Sequence, residues 1–279
     1  MNRNSQIRTP SLRRKPTKKV NKTARLLLVM VVASLILIFM ICIAAYVLGY
    51  RYIKVNTDEG TIKYFGTVDS TGSLKKGTLY FSDGGKGVVD GANSTITYTN
   101  GDVYIGGLSK LEKSGEGTYK YSNGDVYTGN FANNKFSGEG MFKYANGDVY
   151  EGEYEDGLMD GEGTYTWSDG SFYAGEFKEN KRNGYGKFTL SETSYYEGYY
   201  VNDAKEGKGK YVFATGDVYE GDYKNDVRTG MGTYTWANGE TYTGEFLNND
   251  MHGTGTYTWP SGRTYTGKFH LGQIVVENE

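Results

Sequence analysis

The sequence predicts an all-β fold: one elongated, twisted antiparallel sheet of stacked β-hairpins, preceded by a single transmembrane α-helix. Three observations predict it. Tyrosine and glycine recur every 23 residues through most of the chain, apolar and polar residues alternate within each repeat, and one N-terminal stretch of 23 residues carries no charge. A period of that length marks a supersecondary unit, strict alternation marks half-buried strands, and an uncharged apolar run of about 20 residues crosses a bilayer as a helix.

The chain begins basic. Residues 1–25 hold nine cations and no acid; the other 22 of the 31 Lys and Arg meet all 33 Asp and Glu from Arg51 onward, a net −11 there. Between them, Leu26 to Leu48 is uncharged. As a helix it would be about 35 Å long, enough to cross a hydrocarbon core of ~30 Å. A core helix of that length would show a polar face, and a signal peptide has an apolar region of only about 7–15 residues before its cleavage site. The stretch therefore reads as an uncleaved single-pass signal-anchor over residues 26–50, with Tyr46, Tyr50 and Tyr52 at one interface. The positive-inside rule keeps residues 1–25 as a cytoplasmic tail beside anionic headgroups. Residues 51–63 then form a linker to an extracellular array at the cell membrane.

The array is legible in its spacing. Tyr104, Tyr127, Tyr150, Tyr173, Tyr196, Tyr219, Tyr242 and Tyr265 lie 23 apart, each followed two residues later by glycine: Gly106, Gly129, Gly152, Gly175, Gly198, Gly221, Gly244 and Gly267. With the tyrosine as position 1, position 5 is large and apolar, positions 12 and 14 are glycine, and positions 16 and 18 are mostly aromatic, as in Tyr119 and Tyr121. Alternate positions share one face of a strand, so each unit is a hairpin, closed by a turn signal such as Asn123-Gly124. A two-residue loop there would set Tyr127 opposite Lys120 and mix the faces. A three-residue loop with a left-handed glycine sets Tyr127 opposite Tyr119 and Gly129 opposite Gly117. All the rings then share a face and lie across a glycine track. Residues 104–272 read as this array and residues 64–103 as degenerate units that cap it. Residues 273–279 form a tail whose Ile274, Val275 and Val276 favour a strand that folds back.

Tyr150-Glu-Gly-Glu-Tyr, followed by Asp160-Gly-Glu-Gly-Thr-Tyr-Thr-Trp and Asp169-Gly-Ser, resembles the MORN repeat (membrane occupation and recognition nexus). The resemblance covers about residues 64–272. It implies an elongated antiparallel sheet of stacked hairpins, a scaffold role, and self-association through the repeats. Some relatives attach a kinase or methyltransferase domain; this chain has none, and those activities do not carry over.

No constellation of residues points to catalysis, a cofactor or a metal. The Gly-x-Gly pairs open strands, whereas a phosphate-cradling loop opens a helix. His252, placed in a hairpin loop, and His270 are two separated histidines without a cysteine partner. The acids Glu151/Glu153 and Glu220/Asp222 read as solvated surface. One cysteine, Cys42, excludes a disulfide framework, and an aromatic content of 15% excludes low-complexity disorder. On the polar face, Tyr185 falls opposite Tyr199 where other units carry Glu, Lys, Asn or Thr. That pair is the candidate interaction patch, with drift of a degenerate repeat as the competing reading. The functional reading is a non-catalytic, membrane-anchored scaffold for an unidentified protein partner, with a polysaccharide- or lipid-binding repeat protein as the alternative. No nucleic acid is expected. The last strand, around Tyr265 to Phe269, leaves an edge; unless residues 274–276 fold back to cap it, two copies join there as a homodimer through the C-terminal repeats.

Overall fold

The computed structural model describes residues 22–276. The chain divides at Tyr50 into a helical unit and a sheet unit.

Helix α1, Lys22–Val47, has 26 residues and buries none of them. At 1.5 Å per residue it is about 39 Å long. It is apolar and long enough to cross a membrane, which makes it a candidate anchor or signal sequence. Its bounds sit a few residues N-terminal of the 26–50 span read from the sequence. Lys22 to Arg25 continue the helical backbone, and Gly49 ends it with φ 85° and an amide bonded to the Tyr46 carbonyl at 3.1 Å.

The sheet unit begins with β1 (Tyr50–Thr57), β2 (Gly60–Val68), β3 (Leu74–Tyr80), β4 (Lys86–Asp90) and β5 (Thr95–Tyr98). The repeats follow as β6 (Val103–Ser109), β7 (Glu112–Lys120), β8 (Val126–Ala132), β9 (Lys135–Lys143), β10 (Val149–Glu155), β11 (Leu158–Thr166), β12 (Phe172–Lys178) and β13 (Lys181–Ser191). They continue as β14 (Ser194–Val201), β15 (Ala204–Val212), β16 (Val218–Lys224), β17 (Val227–Thr235), β18 (Thr241–Leu247), β19 (Asp250–Thr258) and β20 (Thr264–His270), with a short β21 (Gln273–Ile274). Each strand pairs antiparallel with the next in sequence, giving one open 21-stranded meander.

Residues 51–63 are not a linker. They form β1 and the start of β2, and Ile53 and Val55 pack on the core. Arg51, Ile53 and Val55 take the more buried face of β1 and Tyr50, Tyr52 and Lys54 the exposed one; the segment lies outside the 23-residue period, and Tyr52-Ile53 interrupts its apolar–polar alternation. At the other end the tail folds back. β21 pairs with the end of β20, and the Val275 amide donates to the Lys268 carbonyl at 2.9 Å.

The register follows the turn chemistry. Tyr119 faces Tyr127 and Gly117 faces Gly129. The Tyr121 amide donates to the Asp125 carbonyl at 2.9 Å around a three-residue loop in which Gly124 has φ 99°. The other turn of each unit has two residues, both left-handed: Asn133 and Asn134 at 49° and 69°, Asn225 and Asp226 at 47° and 67°. Asn and Asp tolerate that conformation, and two such residues match the twist of the flanking strands.

Every full repeat also contains a bulge. Gly152 faces Gly163, but Tyr154 faces Met159, so Glu153 alone spans Asp160, Gly161 and Glu162. This shift returns position 10 of each unit to the aromatic face, directly opposite position 5.

The core is a single layer of rings on a glycine floor. The position-1 tyrosines Tyr104, Tyr127, Tyr150, Tyr173, Tyr196, Tyr219 and Tyr242 are wholly buried. Each hydroxyl donates to the carbonyl three residues ahead, from 2.8 Å for Tyr104 to Gly107 to 3.2 Å for Tyr196 to Tyr199. A buried phenol thus keeps its hydrogen bond. The ring of Tyr150 makes edge-to-face contacts with Tyr154 of its own unit and Phe177 of the next, both at 5.2 Å. Such contacts link unit to unit without a second sheet.

Candidate functional site

Two rows of side-chain staples hold the hairpins in line and leave the faces between them free. At the Asn-Gly edge, the carboxylate of Asp102 accepts from the Ser122 amide at 2.8 Å, the Tyr119 hydroxyl at 2.8 Å and the Asn100 amide at 2.9 Å. Asp148 repeats the pattern on Ser168, Tyr165 and Asn146, and Asp217 on Ala237 and Tyr234. At the opposite edge, the Asn180 side chain accepts from the Met159 amide at 2.8 Å, and Asp226 from Lys205 at 2.9 Å. Burial pushes the Asp102 carboxyl up, but its donors outweigh this and hold it below the ordinary carboxylate range. Burial, aided by Asp102, drives the Tyr119 phenol well above its ordinary value.

The aromatic face is the main surface these staples present. Beyond the buried tyrosines runs a half-buried ladder of position 16 and 18 rings: Tyr119–Tyr121 at 4.6 Å, Tyr121–Phe142 at 5.8 Å, Phe142–Tyr144 at 4.5 Å and onward to Trp167–Phe188 at 5.2 Å. A second run goes from Tyr211 to Trp259. Leu190, where an aromatic stands in other units, separates the two runs. Neighbouring rings are mostly tilted at 33–60° to each other rather than laid flat.

Position 10 adds the charges. Along the sheet it reads Lys113, Phe136, Met159, Arg182, Lys205, Arg228 and Met251. The Arg182 guanidinium lies 4.8 Å from the Tyr200 ring centre, the Lys205 ammonium 5.1 Å from Tyr211, and the Arg228 guanidinium 5.2 Å from Tyr234. Burial pulls the Lys113 and Lys205 ammonium groups below their ordinary values. Lys113 also lines a cavity of about 520 Å³ between the β1–β2 turn and the first full repeat, with Glu59, Phe81, Tyr98, Tyr119 and Asn134.

Models of one repeat family match residues 104–126, 127–149, 150–172, 173–192, 196–218, 219–241 and 242–262; the family is the MORN repeat. The chain belongs to the MORN-repeat family. Among curated proteins none matches it significantly. Solved structures similar to it include the TCP10 domain of Danio rerio CPAP in complex with a peptide of Danio rerio STIL, at 14% identity and TM-score 0.41, covering 82% of this chain and 99% of that one. Another is the TCP domain of Drosophila melanogaster SAS-4 with a proline-rich motif of Ana2, at 11% identity and TM-score 0.36, covering 63% and 88%. Both TM-scores are too low to support any argument about this chain.

The fourth MORN repeat is the irregular one, and its match stops at Glu192. Its Asn-Gly turn is replaced by Glu192-Thr193, with Ser191 facing Ser194 and a shift between Thr189 and Ser191 that restores Phe188 opposite Tyr196. On its polar face Tyr185 and Tyr199 stand directly opposed, with ring centres 5.3 Å apart and edge to face. Both are about half exposed, and the Tyr185 hydroxyl donates to Glu197 at 3.0 Å.

Two readings of the sequence need correction. His252 is on β19 opposite Glu245, not in a loop, and its ring centre lies 5.3 Å from that of His270. The reason is the bulge: it lengthens the second strand of each MORN hairpin, drawing position 11 out of the turn. The acids at position 4 are also more than solvated surface. Glu176, Asp222 and Glu245 accept from the amides of Tyr185, Met231 and Thr254 at 2.9 Å, tying down the bulge. Glu151 and Glu220, at position 2, are exposed. The alternation of the strands places the position-4 acids on the polar face but gives no sign of the bulge, so neither their bonds to its amides nor the pairing of position 10 with position 5 follows from sequence.

Proposed function

We propose that this protein is a membrane-anchored, non-catalytic MORN scaffold that presents its aromatic face to a protein partner outside the cell, with residues 1–25 in the cytoplasm. The observation that carries the reading is the division of labour among the rings. Position-1 tyrosines are used up over glycines, while the ladder of positions 16 and 18 remains partly exposed along the array. Large, partly exposed aromatic surface with arginine beside it is characteristic of protein interfaces. Sugar stacking needs rings presented flat, and the tilt of neighbouring ladder rings counts against that alternative. The 26-residue apolar helix and the nine cations before residue 26 support the anchor and its orientation.

Cross-linking on intact cells, followed by capture of the full chain, tests the reading. It predicts an adduct that protease destroys and glycosidase leaves intact; an adduct with the opposite sensitivities would overturn it. Protease added to intact cells should cut the repeats and spare residues 1–25, and the reverse pattern would refute the orientation.

The C-terminal edge supports a second reading, self-association. Among the described residues, backbone pairing with the tail covers β20 only from Lys268 to His270. The rest of β20 is a template for strand addition from a second copy.

A further inference from the structure

The charges of the repeats are segregated by face. Within β6 to β20, the acids stand on the polar face, as Glu139, Glu153, Glu162, Glu176 and Glu220 do, or else lie in the turns between strands. The charged strand residues of the aromatic face are cations, Lys113, Arg182, Lys205 and Arg228. Acids reach that face only from the turns, where Asp102, Asp148 and Asp217 accept from ladder hydroxyls at its edge. The sheet unit as a whole is acidic, so this concentration of positive charge runs against its average.

Three of these cations are consecutive. Arg182 places Nε 3.1 Å from an Asp203 carboxylate oxygen and donates from Nη2 to the Asp203 carbonyl. Arg228 donates from Nη2 to the Asn249 carbonyl at 2.9 Å, and the Lys205 ammonium lies over rings with no carboxylate at ion-pair distance among the described residues. Arg182 thus has Asp203 as a partner, whereas Lys205, near Asp226, and Arg228 hold no direct ion pair among the described residues. A partly desolvated cation so placed is costly, and an incoming carboxylate relieves that cost. The three recur once per hairpin, two strands apart, hence about 9.6 Å from one to the next. An extended chain of the polyproline II type turns once in three residues and rises about 3.1 Å per residue, so every third side chain returns to the same side at about 9.3 Å. Phe136 and Met159 continue the same row on one side and Met251 on the other.

We propose that the aromatic face binds an extended acidic polypeptide segment running across the strands, with carboxylates at every third residue on Arg182, Lys205 and Arg228 and apolar side chains over Phe136 and Met159. This rests on the reading that the aromatic face meets a protein partner, and it specifies that partner's chemistry.

The test uses the full chain in nanodiscs of zwitterionic lipid and a labelled synthetic peptide with two leucines and then three glutamates, all at every third position between serines. Binding should fall about tenfold or more when glutamine replaces the glutamates, or in Arg182→Gln/Lys205→Gln/Arg228→Gln. It should persist in the polar-face set Lys187→Gln/Lys208→Gln/Lys210→Gln. Should the first triple variant melt early, Lys205→Gln alone serves, since its ammonium makes no hydrogen bond that folding requires; a several-fold loss is expected. Equal binding of the glutamine peptide, equal loss in the polar-face set, or preference for anionic vesicles or a sulfated polysaccharide over the peptide would overturn the proposal. Failure here while cells still yield a protease-sensitive adduct removes the acidic partner only; loss of that adduct removes the protein-scaffold reading itself.

Discussion

The ring of Tyr104 lies over Gly117 so closely that a Cβ on the glycine would sit 2.7 Å from the ring's Cε2. Real Cβ atoms do not approach so near, so the glycine is required by the ring above it. Gly117→Ala should cost about 1–3 kcal/mol through overpacking. In a Tyr104→Leu background, the same change should cost much less, because a shorter side chain leaves room. Thermal unfolding of the two single variants and the double variant measures this coupling; strictly additive losses would refute the account of the glycine floor.

Tyr200 buries its hydroxyl without a hydrogen-bond partner, 1% exposed, beneath the Arg182 guanidinium. Position 5 is Phe131, Phe177 and Phe246 in other repeats, so the site accepts phenylalanine. Tyr200→Phe should raise stability by roughly 1 kcal/mol, since it removes an unsatisfied polar atom and keeps the ring. A loss of stability in the melting curve would show that the hydroxyl is bonded in solution.

Much of this architecture was legible in sequence because tyrosine, glycine and the Asn-Gly turn obey one period. That period fixed the strand faces, and the parity argument at Asn123-Gly124 fixed the register that pairs Gly117 with Gly129. Four features were hidden. The bulge at Glu153 and Gly161 interrupts the alternation without altering the repeat length. The place of His252 on a strand and the pairing of position 10 with position 5 are hidden for that reason. The β1 strand lies outside the period altogether. The edge staples made by Asp102 and Asn180 join residues about one repeat apart, a distance at which local pattern says nothing.

The staples make stability depend on acid. The Ala237 amide, with the Tyr234 hydroxyl and Thr215, holds the Asp217 carboxyl below its ordinary range, and burial opposes them. Asp102 and Asp148 are lowered as well. A depressed folded-state value means that the unfolded chain binds the proton first. The contribution is therefore complete above about pH 3.9 and is lost as pH falls through the folded value. The melting temperature should drop steeply below about pH 4, and the gap between wild type and Asp217→Asn should close over the same range. A gap that stays constant with pH would contradict the staple.

The tyrosine core predicts a second limit, at high pH. Burial pushes the Tyr104, Tyr127, Tyr219 and Tyr242 phenols up to about 12, against about 10 in an unfolded chain. A raised folded-state value contributes stability that is complete below pH ~10 and is lost as pH rises toward 12. Phenolate absorbance from the core should therefore appear together with loss of the β-sheet circular dichroism signal. Core phenols that ionise near pH 10 with the sheet intact would show that the rings are open to water.

Self-association is checked by light scattering of the full chain in nanodiscs, with and without residues 265–279. A single chain per particle in both at high concentration would exclude pairing through the β20 edge. Two chains only when those residues are present would support it over contact through Tyr185 and Tyr199.

The account turns on which face of the sheet meets a partner, and Met159 and Met141 provide matched probes of the two faces. Met159 faces Tyr154 on the aromatic side, whereas Met141 faces Thr128 and Glu151 on the polar side. A photo-reactive methionine analogue introduced at one site or the other, activated on intact cells, reports what lies against each. The account predicts a discrete protein adduct from position 159 and little or none from position 141. A partner captured from position 141 alone would move the function to the polar face, beside Tyr185 and Tyr199, and contradict the central claim.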